Sequence, residues 1–191
     1  MQQLKKIVII GPESTGKSTL CELLAKHYQT KWVLEYAREY LLANGKEYSY
    51  EDLLTIAKGQ LALEDETSFQ LPISSFQPPN LPLTTHSPQL LFIDTDMYVM
   101  KVWCEFVFGK CHQWIIDQIT ERKYDLYLLC NTDLPWVKDE LREYPDLETR
   151  EKLFHVYKDI LINQSTPWAE IKGSNEKRLQ TAIDVVDRNM K

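Results

Sequence analysis

The sequence lacks the features that would assign it to a secreted, zinc-binding or membrane class. Its four cysteines are scattered and form no CxxC pair, so we expect reduced thiols rather than disulfides or a zinc site. No hydrophobic run approaches the length that spans a bilayer. The apolar run at residues 7–10 is too short for a signal-peptide core. These absences predict a cytoplasmic protein with no membrane partner.

An excess of positive charge is also absent. The 191 residues carry a formal net charge of −6 and no basic stripe, which predicts that the protein has no nucleic-acid partner. A small anionic ligand is compatible with this composition, since it needs only a local positive site. The length predicts a single domain over residues 1–191. It leaves open whether the chain forms homo-oligomers.

Short apolar runs alternate with amphipathic stretches along the chain. The runs predict strands at residues 7–10, 32–34, 90–93, 126–130 and 168–171. The amphipathic stretches predict helices at 17–28, 36–43, 50–66, 97–121 with a break near Gly109, 147–163 and 175–188. Strands that alternate with helices form a parallel sheet through right-handed crossovers. We therefore expect an α/β fold of three layers, in which helices cover both faces of a five-stranded parallel sheet.

Residues 70–88 differ in composition from the rest of the chain. Five of the nine prolines lie in this stretch, among Ser, Thr, Gln and Asn. Such a segment has little apolar surface to bury. We expect a loop insertion without a catalytic role.

Residues 11–18 read GPESTGKS and satisfy the pattern G-x-x-x-x-G-K-[ST]. The glycines let successive backbone N–H groups face a polyphosphate, and the following helix adds its positive end. Lys17 would reach the terminal phosphates, and the Ser18 hydroxyl would ligate Mg²⁺. The predicted strand before and helix after the pattern are the context of a P-loop. We expect nucleotide contacts along the whole loop: Gly11, Glu13, Ser14, Thr15, Gly16, Lys17, Ser18 and Thr19.

Carboxylates follow the predicted strands that end near residues 34 and 93. Asp94 is placed like a Walker B acid, which orients Mg²⁺, although a helix cap is the alternative. Asp96 either faces the substrate or caps the next helix. Glu35 would converge on the phosphate loop, since ligands bind beyond the carboxyl ends of parallel strands, and one of these acids would take a proton from an attacking hydroxyl. Arg38 would bind a phosphate or the substrate, or pair with a neighbouring acid.

Aromatic side chains near the same edge are candidates for contact with an acceptor. Tyr98 and Trp103 would stack on an aromatic ring, although packing in the core is the alternative. With Tyr98 included, the residues that we expect to contact the acceptor are Glu35, Tyr36, Arg38, Asp96 and Tyr98.

A polar, irregular segment follows the fourth predicted strand. Small-molecule kinases commonly close a mobile lid over the nucleotide at this place, so we expect a lid at residues 133–150. Arg142 and Arg150 are its candidate cations, because a guanidinium can hold two phosphate oxygens; a surface ion pair is the alternative. By analogy with P-loop kinases alone, Gly173 and Arg178 would lie against adenine.

Three segments behind the P-loop carry a family resemblance. EYAREY at residues 35–40, FIDTD at 92–96 and WVxDxLR at 136–142 occur in that order. The series resembles the nicotinamide riboside kinase domain of bacterial NadR-like proteins, and the likeness covers nearly the whole chain except residues 70–88. Ala37 and Glu140 stand where that family usually has glycine.

The resemblance implies an ATP- and Mg²⁺-dependent kinase that phosphorylates the 5′-hydroxyl of nicotinamide riboside, a step of NAD biosynthesis. The family often adds an adenylyltransferase or a DNA-binding domain, for which 191 residues leave no room, so we expect the kinase alone. The implied catalytic residues are Lys17, Glu35, Asp94 and Arg142, and the implied metal ligands are Ser18 and Asp94.

Two other functions stay open on the residues alone. Another nucleoside, or a vitamin alcohol such as thiamine, can be the acceptor of the same chemistry. A nucleotide-dependent ATPase switch is the second alternative. A GTPase would need an N-K-x-D motif, and Asn131-Thr132-Asp133 lacks its lysine; an AAA-type motor would usually need more chain for its helical subdomain.

Overall fold

The computed structural model describes residues 4–71 and 89–190. Its parallel strands, in chain order β1 to β5, are Leu4–Ile10, Trp32–Val33, Gln89–Asp94, Leu126–Cys130 and Trp168–Ile171. The helices, α1 to α7, are Lys17–His27, Tyr36–Asn44, Tyr50–Phe69, Met97–Phe108, Gln113–Glu121, Leu147–Ile162 and Asn175–Asn189. The predicted α/β class is confirmed. The predicted insertion at 70–88 lies outside the described residues, apart from Gln70 and Leu71.

The strands form one sheet in the order β2-β3-β1-β4-β5. β1 lies at the centre and pairs in parallel with β3 on one side and β4 on the other. The reversal of strand order beside β1 separates the carboxyl ends of β1 and β3 into a crevice, which is where open α/β sheets bind ligands.

Helices cover both faces of the sheet, because the side chains of a strand alternate between faces. Ile7 and Ile9 of β1 pack with buried side chains of α1 and α7. Val8 and Ile10 pack on the opposite face, against residues of α4 and α6. β1 is fully buried from Ile7 onward, which explains its unbroken apolar sequence.

Local capping residues mark the starts of several helices. Ser49 and Asp52 form a reciprocal capping box at the start of α3. Asp146 and Ser174 cap α6 and α7 through their side-chain oxygens. Gly109, in the left-handed region at φ 68°, ends α4, so the predicted helical region 97–121 is two helices broken at the expected glycine.

The part of the chain that the structure describes contains no helix long and apolar enough to cross a membrane.

Candidate functional site

The loop between β1 and α1 is a tightly curled turn whose shape depends on glycine. Gly11 has φ +144°, and a Cβ at this position would lie 2.7 Å from the carbonyl oxygen of Cys130 in β4. Gly16 has φ 78° and is the N-cap of α1 without a side-chain cap. The turn is closed by the Thr15 hydroxyl, which donates to the Pro12 carbonyl at 2.7 Å. The first turn of α1 therefore presents free N–H groups to the crevice, as phosphate binding requires.

Two side chains from the start of α1 lie beside the end of β3. The Lys17 amine donates to the Pro12 carbonyl at 3.0 Å, and Ser18 Oγ donates to Asp94 Oδ2 at 2.5 Å. Asp94 is fully buried, and its Oδ1 has no hydrogen-bond partner among the residues that the structure describes. Burial and, to a smaller extent, the nearby charge of Glu35 raise the pKa of Asp94 to about 7, although Lys17 and the Ser18 hydrogen bond act in the opposite direction.

This arrangement fits a magnesium ion of the P-loop type. No group of three or more His, Cys, Asp or Glu side chains is placed to hold a metal ion within residues 4–71 and 89–190. A P-loop site has no need of one, since a hydroxyl and one acid complete a coordination shell supplied mostly by phosphates and water. Asp94 Oδ1, beside Ser18, is the kind of hard oxygen ligand that Mg²⁺ requires. Ser18 and Asp94 are the residues that would hold the ion.

Glu35 lies between the end of β2 and the start of α2. It is the N-cap residue of α2, but its side chain makes no capping hydrogen bond. Instead the carboxylate lines the same cavity as Lys17 and Asp94. Its neighbours in the backbone are held by a buried amide: the Gln60 Oε1 accepts from the Tyr36 N–H at 2.8 Å, and Nε2 donates to the Leu34 carbonyl at 3.1 Å.

Asp96 and Tyr98 lie behind the site rather than in it. Of the two alternatives for Asp96, the structure shows the helix cap: Oδ1 accepts from the Tyr98 and Val99 N–H groups at 3.0 and 3.2 Å. Its other oxygen accepts from the Tyr127 hydroxyl at 2.9 Å. Burial raises the pKa of Asp96 to about 7. Neither Asp96 nor Tyr98 is among the described residues that line the cavity.

The predicted lid segment lies against the phosphate loop. The Glu13 carboxylate accepts from the backbone N–H groups of Glu143 and Tyr144 at 2.9 and 3.1 Å, and burial raises its pKa. Arg142 donates to the Ser14 hydroxyl at 3.4 Å and to the Val137 carbonyl at 2.5 Å, so its guanidinium lies beside the loop. The Glu13 side chain thus connects the phosphate loop to the lid.

Arg38 joins the lid to α2. Its guanidinium makes a two-pronged contact with the Asp139 carboxylate at 3.0 and 3.1 Å, with half of the arginine side chain exposed. The pair raises the pKa of Arg38 and lowers that of Asp139. Of the alternatives weighed for Arg38, the structure shows an ion pair with an acid of the lid.

Two arginines and one glycine were predicted to lie near the nucleotide. Their observed contacts lie behind the phosphate loop. Arg150 lies buried in the first turn of α6, where it donates to the Thr132 and Leu134 carbonyls at 3.3 Å. Arg178 donates to the Thr15 carbonyl at 2.9 Å and to the Gly173 carbonyl at 2.9 Å. None of Arg150, Gly173 and Arg178 is among the cavity-lining residues that the structure describes. Their observed contacts brace the backbone of the loop and the lid.

One cavity of about 550 Å³ connects these groups. That volume lies in the range that holds a small molecule. The predicted residues that line it are Gly11, Glu13, Ser14, Thr15, Gly16, Lys17, Ser18, Thr19, Glu35, Tyr36, Arg38, Asp94 and Arg142. The lining outside the loop includes an aromatic wall formed by Trp103, Phe106 and Tyr144.

Sequence reasoning missed several of these groups. Tyr48 receives a hydrogen bond from Trp103 Nε1 at 2.8 Å and donates to Glu143 at 2.9 Å, which joins the aromatic wall to the lid. Phe106 and Tyr144 pack edge to face with ring centroids 5.3 Å apart. No local pattern marks these contacts, since the partners lie far apart in the chain. Gln60 had one signal, a polar residue within the apolar stripe of α3.

A curled glycine loop, a Ser–Asp pair at its helix and a sheet of order 2-3-1-4-5 define the class of P-loop nucleotide-binding α/β proteins. The chain belongs to the AAA domain family, whose model matches residues 6–178. This family membership identifies the class of nucleotide-binding protein and does not specify the reaction.

The chain is similar to NadR proteins over nearly its whole length. The chain is 26% identical over 192 aligned residues to the trifunctional NAD biosynthesis/regulator protein NadR of Salmonella typhimurium, covering 98% of this chain and 43% of that protein. It is also similar to the crystal structure of NadR protein in complex with NR, with a TM-score of 0.71, 21% identity and coverage of 97% and 50% of the two chains. The resemblance to NadR-like proteins is confirmed, and the chain spans less than half the length of this curated relative.

The fold also matches a kinase of comparable length. Thymidylate kinase from Ehrlichia chaffeensis superposes with a TM-score of 0.61 at 14% identity, over 96% of this chain and 99% of that one. At this identity the match concerns the fold.

Proposed function

We propose that the chain is an ATP-dependent kinase that phosphorylates the 5′-hydroxyl of nicotinamide riboside to form nicotinamide mononucleotide. The observation that carries the proposal is one cavity whose lining combines the phosphate loop, the acid Glu35 and an aromatic wall. A nucleotide switch needs only the first of these. A transferase needs in addition groups that hold and orient an acceptor beside the phosphates, and an acid with an aromatic wall supplies them.

Glu35 is the base that this geometry favours. Asp94 is engaged by Ser18, and the oxygens of Asp96 are occupied by helix N–H groups and by Tyr127. Of these three acids, Glu35 and Asp94 line the cavity, and the Glu35 side chain makes no capping bond to the start of α2. Its carboxylate takes the proton of the acceptor hydroxyl as that oxygen attacks the γ-phosphorus and the bond to the β-phosphate oxygen breaks, releasing ADP.

Lys17 and Arg142 supply positive charge around the transferring group. Both line the cavity, and each rests on an oxygen of the loop or lid, where a phosphate oxygen can replace that acceptor. Charge placed in advance of reaction is worth more than charge that must reorganise. Magnesium bound by Ser18, Asp94 and the nucleotide would neutralise phosphate charge. ATP is the co-substrate and Mg²⁺ the cofactor in this proposal.

The acceptor end of the cavity favours a cationic aromatic ring. Its wall is aromatic, and Glu35, Glu39 and Glu143 also line the cavity, while the one arginine of α2 is paired with Asp139. A pyridinium ring gains both stacking and charge attraction in such surroundings. The similarity to NadR, one structure of which holds NR, supports nicotinamide riboside as that acceptor.

The wider features of the proposal follow the sequence predictions. We place one kinase domain over residues 1–191, with a lid at 133–150, in the cytoplasm, where free thiols persist. The cysteines at 21, 104, 111 and 130 are all unpaired. The proposed partner is a small-molecule acceptor, with no nucleic acid or membrane.

A panel of phosphoryl acceptors tests the proposal. ADP release from ATP is measured with nicotinamide riboside, thiamine, thymidine, adenosine and no acceptor. We expect turnover only with an alcohol, and a kcat/KM for nicotinamide riboside at least about 10-fold above the neutral nucleosides. Thiamine, which is also cationic, separates charge from shape. Slow hydrolysis that no acceptor changes would instead assign the ATPase switch.

A further inference from the structure

The side chain of Gln60 is a buried polar group in α3 whose hydrogen bonds go to the chain beyond β2, to the start of α2 and to the end of β3. It is 1% exposed. Its Oε1 accepts from the Tyr36 N–H at 2.8 Å, and its Nε2 donates to the Leu34 carbonyl at 3.1 Å and to the Asp94 carbonyl at 3.4 Å. A primary amide has two N–H donors and one carbonyl oxygen. All three sites of Gln60 are engaged, and all three partners flank or carry a carboxylate of the cavity.

The backbone around Glu35 receives little support from the sheet. β2 is an edge strand that contains only Trp32 and Val33, and its register with β3 ends at the pair Val33–Ile93. Beyond Val33 the chain leaves the ladder. Gln60 supplies hydrogen bonds to residues 34 and 36, one on each side of Glu35, in place of the missing ladder bonds.

The same amide replaces a helix cap. Tyr36 is the first residue of α2, and the N–H groups at a helix start lack partners within the helix. An N-cap carboxylate commonly supplies one, yet the Glu35 side chain makes no such bond. Gln60 satisfies the first of these N–H groups, and the Glu35 carboxylate makes no capping bond that would hold it at the helix start.

Gly59 permits the close approach that this contact needs. A Cβ at position 59 would lie 2.1 Å from the Tyr36 ring. The ring of Tyr36 therefore packs directly on the α3 backbone, one residue before the amide that binds its N–H. Gly59 and Gln60 together dock the start of α2 on α3.

We propose that Gln60 is a positioning residue that holds the Glu35 carboxylate at a set separation from Asp94 and the transferring phosphoryl group; the inference rests on the proposed role of Glu35 as base. The amide links the ends of β2 and β3, so its loss lets the unpaired segment at Glu35 move relative to Asp94. Misplacement by about 1 Å can cost about 100-fold in rate.

The test is a double-mutant cycle between Gln60→Met and Glu35→Gln. Methionine keeps the length and apolar packing of the side chain and removes its hydrogen bonds. We expect Gln60→Met to lower kcat with the acceptor about 10- to 50-fold, with the Kd for a fluorescent ATP analogue within about 2-fold of wild type. In the Glu35→Gln background the same change should cost less than about 3-fold. Additive losses would overturn the proposal.

Gln60→Glu gives a second, pH-dependent measurement. The new carboxyl can still accept from the Tyr36 N–H, but it donates to neither carbonyl while ionised. Burial raises the pKa of such a group, so at lower pH its O–H can donate one bond. We expect the rate of Gln60→Glu relative to wild type to rise at least about 3-fold from pH 8 to pH 6. The Tyr36 amide exchange described below is the measurement that separates loss of the contact from a general effect of the buried charge, and unchanged exchange in Gln60→Met overturns the proposal.

Controls separate this inference from general damage and from the proposed function. Leu61→Met changes the next, buried side chain of α3 and should leave kcat within about 2-fold. Amide exchange measured by NMR requires no turnover: the Tyr36 N–H should exchange at least about 10-fold faster in Gln60→Met and not in Leu61→Met, and equal rates overturn the proposal. If wild type phosphorylates a different alcohol, the acceptor assignment fails and the cycle is run with that alcohol. If it phosphorylates no alcohol, the proposed function fails, and the catalytic part of this inference fails with it. The exchange measurement then tests only the contact between Gln60 and the Tyr36 N–H.

Discussion

The two ends of the cavity are built differently. The phosphate end comes from the consecutive residues 11–18, whose backbone is curled by local hydrogen bonds and braced from behind by Arg178. The acceptor end is assembled from α2, α4 and the lid, segments separated by dozens of residues. Its ties are an ion pair between Arg38 and Asp139 and a contact between Tyr48 and Glu143, both at exposed positions.

This difference separates binding from selection. A loop made of backbone N–H groups binds any nucleoside triphosphate tail, because its donors belong to the main chain. A wall made of side chains on movable segments distinguishes one acceptor from another and can close over it. We therefore expect changes at the phosphate end to abolish turnover and changes at the lid to adjust it.

The largest effect is expected at the phosphate end, from Lys17→Ala. Removal of the amine should lower turnover by at least about 1000-fold, since it deletes a charge that stabilises the transition state. The fold should persist, because the hydrogen bond of the Lys17 amine within the described part of the chain goes to a single loop carbonyl, that of Pro12. Acceptor-dependent ADP release measures the loss, and Lys26→Ala, at the exposed end of the same helix, is the control. Near-wild-type turnover in Lys17→Ala would remove the phosphate-loop argument.

Glu35→Gln tests the junction between the two ends. It should lower kcat by about 100-fold, the usual size of a general-base contribution, while the Kd for ATP changes little. Glu22→Gln, an exposed carboxylate of α1, should be silent. Retention of the wild-type rate in Glu35→Gln would move the base to Asp94.

The buried acid behind the cavity should appear in stability rather than in rate. Burial raises the pKa of Asp96 in the folded state to about 7 from its ordinary value of 3.8. The folded state therefore binds the proton more tightly than the unfolded chain does. This contribution to stability is fully present below about pH 4 and is lost as the pH rises through about 7.

Chemical denaturation from pH 4 to pH 8 measures that loss. We expect wild type to lose about 2 kcal/mol relative to Asp96→Asn over this window. Asparagine cannot titrate, yet its oxygen can still cap α4. Parallel stability curves for the two proteins would show that Asp96 is ionised throughout.

The smallest effect is expected at the lid, from Arg38→Ala. The Arg38–Asp139 pair is substantially exposed, and exposed ion pairs contribute little. We expect KM for the acceptor to rise less than about 5-fold, with kcat and ATP affinity nearly unchanged. The reversed pair, Arg38→Asp with Asp139→Arg, should recover most of the loss. A loss of more than about 100-fold would show that Arg38 contacts the substrate instead.

Much of the fold was readable because its signals are local. The strand at residues 7–10 and the helix after residue 17 follow from an apolar run and a glycine turn, and Gly109 marked a real helix end. Residues such as Asp96 carried two local meanings at once, substrate contact and helix cap, and sequence alone left both open. Arg150, Gly173 and Arg178 were expected at the nucleotide, whereas their contacts brace the backbone behind the loop. Those site assignments stay predictions until a ligand tests them.

Residues adjacent in the chain were sufficient to specify the phosphate loop, because its chemistry is carried by main-chain groups that a few glycines and one lysine arrange. The aromatic wall, the Glu13 contact with the lid and the amide of Gln60 beside Glu35 depend on the way distant helices pack. Packing is set by the combined shape and burial of many side chains, so these contacts become visible only when the chain is folded.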